Sequence, residues 1–311
     1  MRSMKLLSTC AAAAAMILAL PACAQQAATP TPAPTPTTTA ATTDADPALW
    51  VVKDADTTVY LFGTIHMLKP GLSWFDEAVK TAFDTSDSVV FEIVQPEAAV
   101  MQQLMMTKGM NPTGPTLTEQ LPEAKRAGVV KALTEAGLPP QAYERMDPWL
   151  AGLIASLAPL GKLGYLPEHG PETVLAAAAK SANKPVSALE TVEEQIGIFD
   201  SLSKPAQIAY LVSTIDELPK AGETMSKMVD TWVKGDPDAL AVEMNDALKD
   251  SPEVAKALLT DRNARWATWI KGRMAKPGTV FVAVGAGHLA GADSVQNKLG
   301  ALKVKATRIK Y

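Results

Sequence analysis

The run Thr279-Val280-Phe281-Val282-Ala283-Val284 constrains this chain most. A strand with one wet face alternates apolar and polar residues. This run is apolar almost throughout, as a strand buried on both faces should be. Shorter β-rich runs stand elsewhere. Residues 48–52 and 58–62 flank Asp54-Ala55-Asp56, a hairpin signal. Residues 88–94 (SVVFEIV) carry a single charge, Glu92; residues 185–190 (PVSALE) end on Glu190; residues 304–309 close the chain. Helical patterns fill the gaps. The segment 73–83 has Ser73 as a candidate N-cap and Trp74, Ala78, Val79 and Ala82 on one face. Residues 96–108 are Met-rich, with Met101, Leu104 and Met105 as a core stripe. Residues 116–182 are mostly helical, with breaks at 137–140 and 161–170. Further helices are expected over 192–202, 206–217, 223–234, 252–274 and 294–299. Strands spread among helices predict an α/β fold: a central mixed sheet, flanking helices and a largely helical insertion.

The first 44 residues do not belong to that core. Arg2 and Lys5 are the only charges before Asp44, and an apolar Ala-rich stretch follows them. This is the layout of a secretory signal peptide, too short to span a membrane. It ends Leu20-Pro21-Ala22-Cys23, which resembles a bacterial lipobox and makes Cys23 the expected lipidation site. Ala22-Cys23-Ala24 also fits an ordinary signal-peptidase site, which would release the protein. The expected division is a signal peptide over 1–22, an Ala/Thr/Pro-rich tether over 23–44 and a folded domain over 45–311. The expected location is the cell envelope, lipid-anchored at the outer membrane and facing the periplasm, or soluble in the periplasm or secreted if the chain is released. Both cysteines, Cys10 and Cys23, fall outside the domain, so any metal ligands there are His, Asp or Glu. The net charge of −4 becomes −4 − 2 = −6 without Arg2 and Lys5, and no basic run suggests nucleic acid.

The chemistry is carried by histidines. There are three: His66, His169 and His288. Gly63-Thr64-Ile65-His66 and Gly285-Ala286-Gly287-His288 share the pattern G-x-x-H, and each follows an apolar strand. A glycine at a strand end permits a turn or a close approach. The histidine then sits where open α/β sheets place ligands. Glu92 interrupts an apolar strand, a costly place for a carboxylate unless it is paired or binds metal; a strand-end salt bridge is its plainer reading. Two imidazoles and one carboxylate are the ligand count of a catalytic zinc site with room for water, and manganese or cobalt would accept the same ligands. Glu190 ends its strand as the histidines end theirs. It fits a fourth ligand, a general base, a group behind a ligating histidine, or simply the start of the next helix. His169, in a turn with acidic neighbours, reads as an exposed loop residue. No G-x-S-x-G, dinucleotide fingerprint, HExxH or Walker pattern occurs.

GTIH after a hairpin beginning at Trp50, the VVFEI strand, ALET with Gln195, Asp261-Arg262-Asn263 with Trp266, and FVAVGAGHLAG together resemble the TraB/GumN family, over residues 50–309. The family includes the animal TIKI proteases and is distantly similar to the erythromycin-esterase and haem-lipoprotein ChaN folds. The resemblance implies metal-dependent hydrolysis of a peptide bond, with His66, His288 and Glu92 as ligands. It also implies that Arg262 points to the site, where a guanidinium would hold a carboxylate or oxyanion. A surface Arg262 paired with Asp261 or Glu253 is the alternative. Two functions follow as expectations. One is an envelope hydrolase of peptide, amide or ester bonds, with Glu190 and Arg262 assisting a bound divalent ion. The other is a lipoprotein that binds a peptide signal or haem without turnover.

Overall fold

The computed structural model describes residues 42–245 and 251–311. The expected signal peptide and Cys23 lie outside the described residues. Within the stretch expected to be tether, Thr43–Asp44 (β1) already pairs in parallel with Leu72–Ser73 (β4).

The main sheet has six strands: β2 (Leu49–Lys53), β3 (Thr57–Thr64), β5 (Ser88–Phe91), β6 (Val186–Ala188), β7 (Gly278–Gly285) and β8 (Thr307–Ile309), in the order β6-β5-β7-β3-β2-β8. From β6 to β3 the strands are parallel; β2 runs antiparallel to both β3 and β8. The sheet is therefore mixed, as expected. β7, the most apolar run, lies between β5 and β3.

Alternation along β7 shows why both faces had to be apolar. Phe281 and Ala283 face one layer, with Phe62, Trp74, Phe83, Leu175 and Trp232. Val280, Val282 and Val284 face the other, with Trp266, Ile270, Val295 and Leu299. The first layer is built by α1 (Glu77–Thr85) and by helices that follow the insertion; the second by the helices flanking β7. The insertion, made of α2 (Ala98–Gly109), α3 (Pro148–Lys162) and neighbouring helices, has a core of its own around Trp149, Phe199 and Tyr210. It rejoins the first layer through α4 (Pro171–Ser181).

Three local expectations are corrected. The helix expected from Ser73 begins at Glu77 after Asp76, because Leu72–Ser73 is taken by pairing with β1 and the Ser73 hydroxyl donates to Asp76. The strand carrying Glu92 ends at Phe91, so Glu92 sits just past the strand rather than inside it. The single helix expected over 252–274 is three pieces: an α turn (Pro252–Ala255), a π turn (Lys256–Thr260) and α5 (Asp261–Arg273). A helix at Pro237–Asn245 escaped the sequence reading.

Candidate functional site

Parallel neighbours bring their carboxyl ends to one edge, and this sheet has four of them side by side. Thr64 of β3 is level with Gly285 of β7, and Phe91 of β5 is level with Ala283. His66 follows β3 by two residues, His288 sits in a 3-10 turn (Ala286–Leu289) directly after β7, and Glu92 follows β5. Glu190 follows β6, and its N–H donates to the Glu92 carbonyl at 2.9 Å. Gly63 serves close approach, and Gly285 precedes the turn that carries His288. A Cβ on Gly63 would meet the Ala286 Cα at 3.0 Å, so the two G-x-x-H segments lie against each other. The Gly285 N–H donates to Glu92 Oε1 at 2.6 Å.

Arg262, near the start of α5, joins these ends. Its Nε donates to both Glu190 oxygens, at 3.1 and 3.0 Å. Its Nη2 donates to Glu92 Oε2 at 2.6 Å, and its Nη1 faces His288 Nε2 at 3.0 Å and the Leu258 carbonyl of the π turn at 3.2 Å. The guanidinium lies over the Trp266 ring, 4.6 Å from its centroid, a cation–π contact worth about 2 kcal/mol when desolvated. Arg262 is 1% exposed, so it is not the surface cation of the alternative reading. Asp261 instead pairs with Lys256, and Glu253 accepts from Ser203. Glu190 also accepts from Arg265 Nη2 at 3.0 Å and Trp266 Nε1 at 3.1 Å. Its oxygens are spent on holding Arg262 and α5 in place and accept from no histidine, a role the sequence did not suggest.

The hydrogen bonds assign the protons. Asn263 Nδ2 donates to the Asp293 carbonyl, which leaves Asn263 Oδ1 to accept from His288 Nδ1 at 2.6 Å. His288 Nε2 therefore carries the lone pair and accepts from Arg262. Burial and the Arg262 charge push the His288 pKa down to about 3, so the ring is neutral. Burial alone would raise Glu92. The Arg262 charge, joined by the neighbouring histidines and the Gly285 N–H bond, outweighs burial and holds the carboxyl at about 2. Gln195 Nε2 completes the shell of Glu92 Oε2 at 3.0 Å. His66 has a different neighbour. Its Nδ1 lies 2.5 Å from Glu172 Oε1, an oxygen that also accepts from the Thr64 hydroxyl. Burial lowers the His66 pKa, but Glu172 more than offsets it and the pKa is raised.

Three buried atoms around this cluster have no hydrogen-bond partner: His66 Nε2, Glu172 Oε2 and Gln195 Oε1. The donor chemistry fits a divalent ion. Both imidazoles hold Nδ1 against an oxygen acceptor and keep Nε2 free of that bond, as metal-ligating histidines do. The positions are less open. Among the described residues no group of three or more His, Cys, Asp or Glu side chains is placed to hold a metal ion as it stands. Arg262 N–H groups cover His288 Nε2 and Glu92 Oε2.

The structure thus brings together all five residues singled out in the sequence: His66, Glu92, Glu190, Arg262 and His288. His169 stays apart, half-buried at the end of a 3-10 turn (Pro167–His169), where it lines a cavity of about 250 Å³ with Lys69 and Trp74. The sequence reading assigned no role to Glu172, although it stands three residues from His169, nor to Thr64, Gln195 or Asn263. One signal did exist for Arg262. It falls four residues after Leu258 and four before Trp266, on an apolar helical stripe where a surface arginine has no place.

Comparison with known proteins gives one match. The model of the TraB/PrgY/gumN family matches residues 48–308. No curated protein and no solved structure matches the chain.

Proposed function

The chain belongs to the TraB/PrgY/gumN family, and on that footing we propose that it is a metal-dependent hydrolase of the cell envelope, tethered through a lipid on Cys23, acting on a peptide, amide or ester bond. His66 Nε2, His288 Nε2 and Glu92 would hold a zinc, manganese or cobalt ion. The observation that carries this reading is the matched state of the two imidazoles: each has its Nδ1 held by an oxygen, at 2.5 Å for His66 and 2.6 Å for His288. When bound, the ion would supply an activated water and polarise the substrate carbonyl. The chain's own residues do the rest. Glu190 keeps Arg262 oriented. With His288 Nε2 committed to such an ion, Arg262 Nη1 would lose the acceptor it has at 3.0 Å, and its N–H would be free to stabilise negative charge at the site. The half-buried side of the cluster, at His66 and Glu172, is where substrate would approach; Arg262 and His288 are sealed beneath.

A second reading draws on Arg262 itself. A guanidinium already neutralising Glu92 and capping His288 suits an envelope protein that binds a peptide signal or haem without turnover. Elemental analysis separates the two. The hydrolase reading expects about one equivalent of zinc, manganese or cobalt in the purified protein and none in His66→Ala/His288→Ala. If the protein stays metal-free after reconstitution with all three ions, the binding reading replaces it; a Soret band on adding haem would identify haem as the ligand.

A further inference from the structure

We infer that Glu172, delivered by the helical insertion, is the positioning residue that fixes the His66 imidazole in its Nδ1–H form and leaves Nε2 bare, on the sheet edge shared with Glu92 and His288. The inference rests on the metal-site reading only for what that lone pair is used for.

Imidazole free in water prefers its proton on Nε2, so an Nδ1–H form needs an acceptor that enforces it. Glu172 Oε1 is that acceptor, 2.5 Å from His66 Nδ1. The Thr64 hydroxyl donates to the same oxygen. The residue beginning His66's own approach thus also orients the carboxylate. The Nε2–H form gains no equivalent bond, because nothing stands in hydrogen-bond reach of Nε2 to accept its proton.

The backbone fixes the carboxylate as firmly as a strand would. Glu172 is the second residue of α4, which begins at Pro171. The segment before it is fastened to the loop carrying His66 by the Leu68–Leu166 bridge, with N–H donation both ways at 3.3 and 3.0 Å. Gly170 then passes so close that a Cβ there would lie 2.1 Å from the His66 carbonyl oxygen. That is why a glycine stands before the helix. The other histidine has the same arrangement from another element: Asn263 of α5 holds His288 Nδ1. Each G-x-x-H histidine is therefore oriented by a residue from outside the sheet, a carboxylate for one and an amide for the other.

The test uses the full chain, stripped of metal with a chelator and labelled with 15N-histidine. Long-range 1H–15N spectra recorded above the titration of His66 report which ring nitrogen carries the proton. Wild type should show His66 with the proton on Nδ1. Glu172→Gln keeps an Oε1 acceptor and should keep that form. Glu172→Leu should move His66 to the Nε2–H form and leave His288 unchanged. Zinc affinity, measured by chelator competition, should fall about 10–100-fold in Glu172→Leu and much less in Glu172→Gln. An Nε2–H form of His66 in the wild type overturns the inference without any variant, as does a Glu172→Leu protein in which both the tautomer and zinc affinity are unchanged. If the wild type binds no zinc but the tautomer moves as stated, the positioning role stands and the metal reading fails.

Discussion

The two G-x-x-H ends share a sequence pattern, a strand-end position and one edge of the sheet, yet their electrostatic surroundings are opposite. His288 is 0% exposed, tilted against Trp266 with ring centroids 4.3 Å apart, and faces a guanidinium; its pKa is pushed down to about 3. His66 has a side chain 15% exposed and faces a carboxylate; its pKa is raised. The motif thus fixes where a histidine stands and leaves its proton to residues more distant in the chain. One arm is locked neutral inside a charge network, and the other is poised at the accessible side.

The largest expected effect comes from removing what makes the arms differ. Arg262→Ala leaves Glu92 and Glu190 buried without their main counter-charge, and should cost about 3–5 kcal/mol in chemical denaturation. Arg262→Lys should not restore it, since an ammonium cannot make the fork of contacts. A mild loss in Arg262→Ala would show that His288 is not held by this network. Next, His288→Ala should cost roughly 2–3 kcal/mol by stranding Asn263 Oδ1 and an Arg262 N–H. His66→Ala should cost under about 1 kcal/mol, because its partners lie near water. Equal losses would erase the contrast.

Acid separates the arms by sign. His288 has a folded pKa of about 3, below the ordinary 6.5. The unfolded chain binds its proton first, so His288 contributes stability above pH 6.5 that is lost as pH falls towards 3. Glu92, lowered from 4.5 to about 2, adds a loss of the same sign between those values. His66 has a raised pKa, so its contribution is present below 6.5 and lost as pH rises through the folded value. Denaturation at stepped pH should show stability rising from pH 3 to 6.5 in wild type, and a flatter rise in His288→Ala but not in His66→Ala. The smallest effect sharpens the network itself. Arg265 shares Glu190 with Arg262 but has a side chain 56% exposed, so Arg265→Ala should change stability by less than about 1 kcal/mol.

The parts of the fold written in local pattern were legible. The hairpin, the apolar β7 run and the helical middle each follow from periodicity over a few residues. So were the strand-end positions of His66, Glu190 and His288, because parallel strands carry such residues to one edge whatever the loops between them do; Glu92, read as lying inside its strand, reaches the same edge because that strand stops at Phe91. What was illegible depends on distance along the chain. Glu172 meets His66 across 106 residues, and no local pattern marks that meeting. Ser73 looked like a helix start because its capacity to cap is intrinsic, whereas its pairing with β1 is tertiary. The π turn at Lys256–Thr260 reads as helix in any window; its altered bonding shows only in the structure.

The sheet order has a consequence in time. β7 lies between β3 and β5, yet it follows both in the chain with the whole helical insertion in between. Until it arrives, the strands bearing His66 and Glu92 have no common neighbour, and Arg262 and His288 flank the missing strand on either side. The nascent chain therefore holds no assembled cluster during most of its making, and folding must wait for contacts between distant segments, which is slow. The chain carries its chemistry in pieces and joins them only once β7 and the turn bearing His288 have followed the insertion.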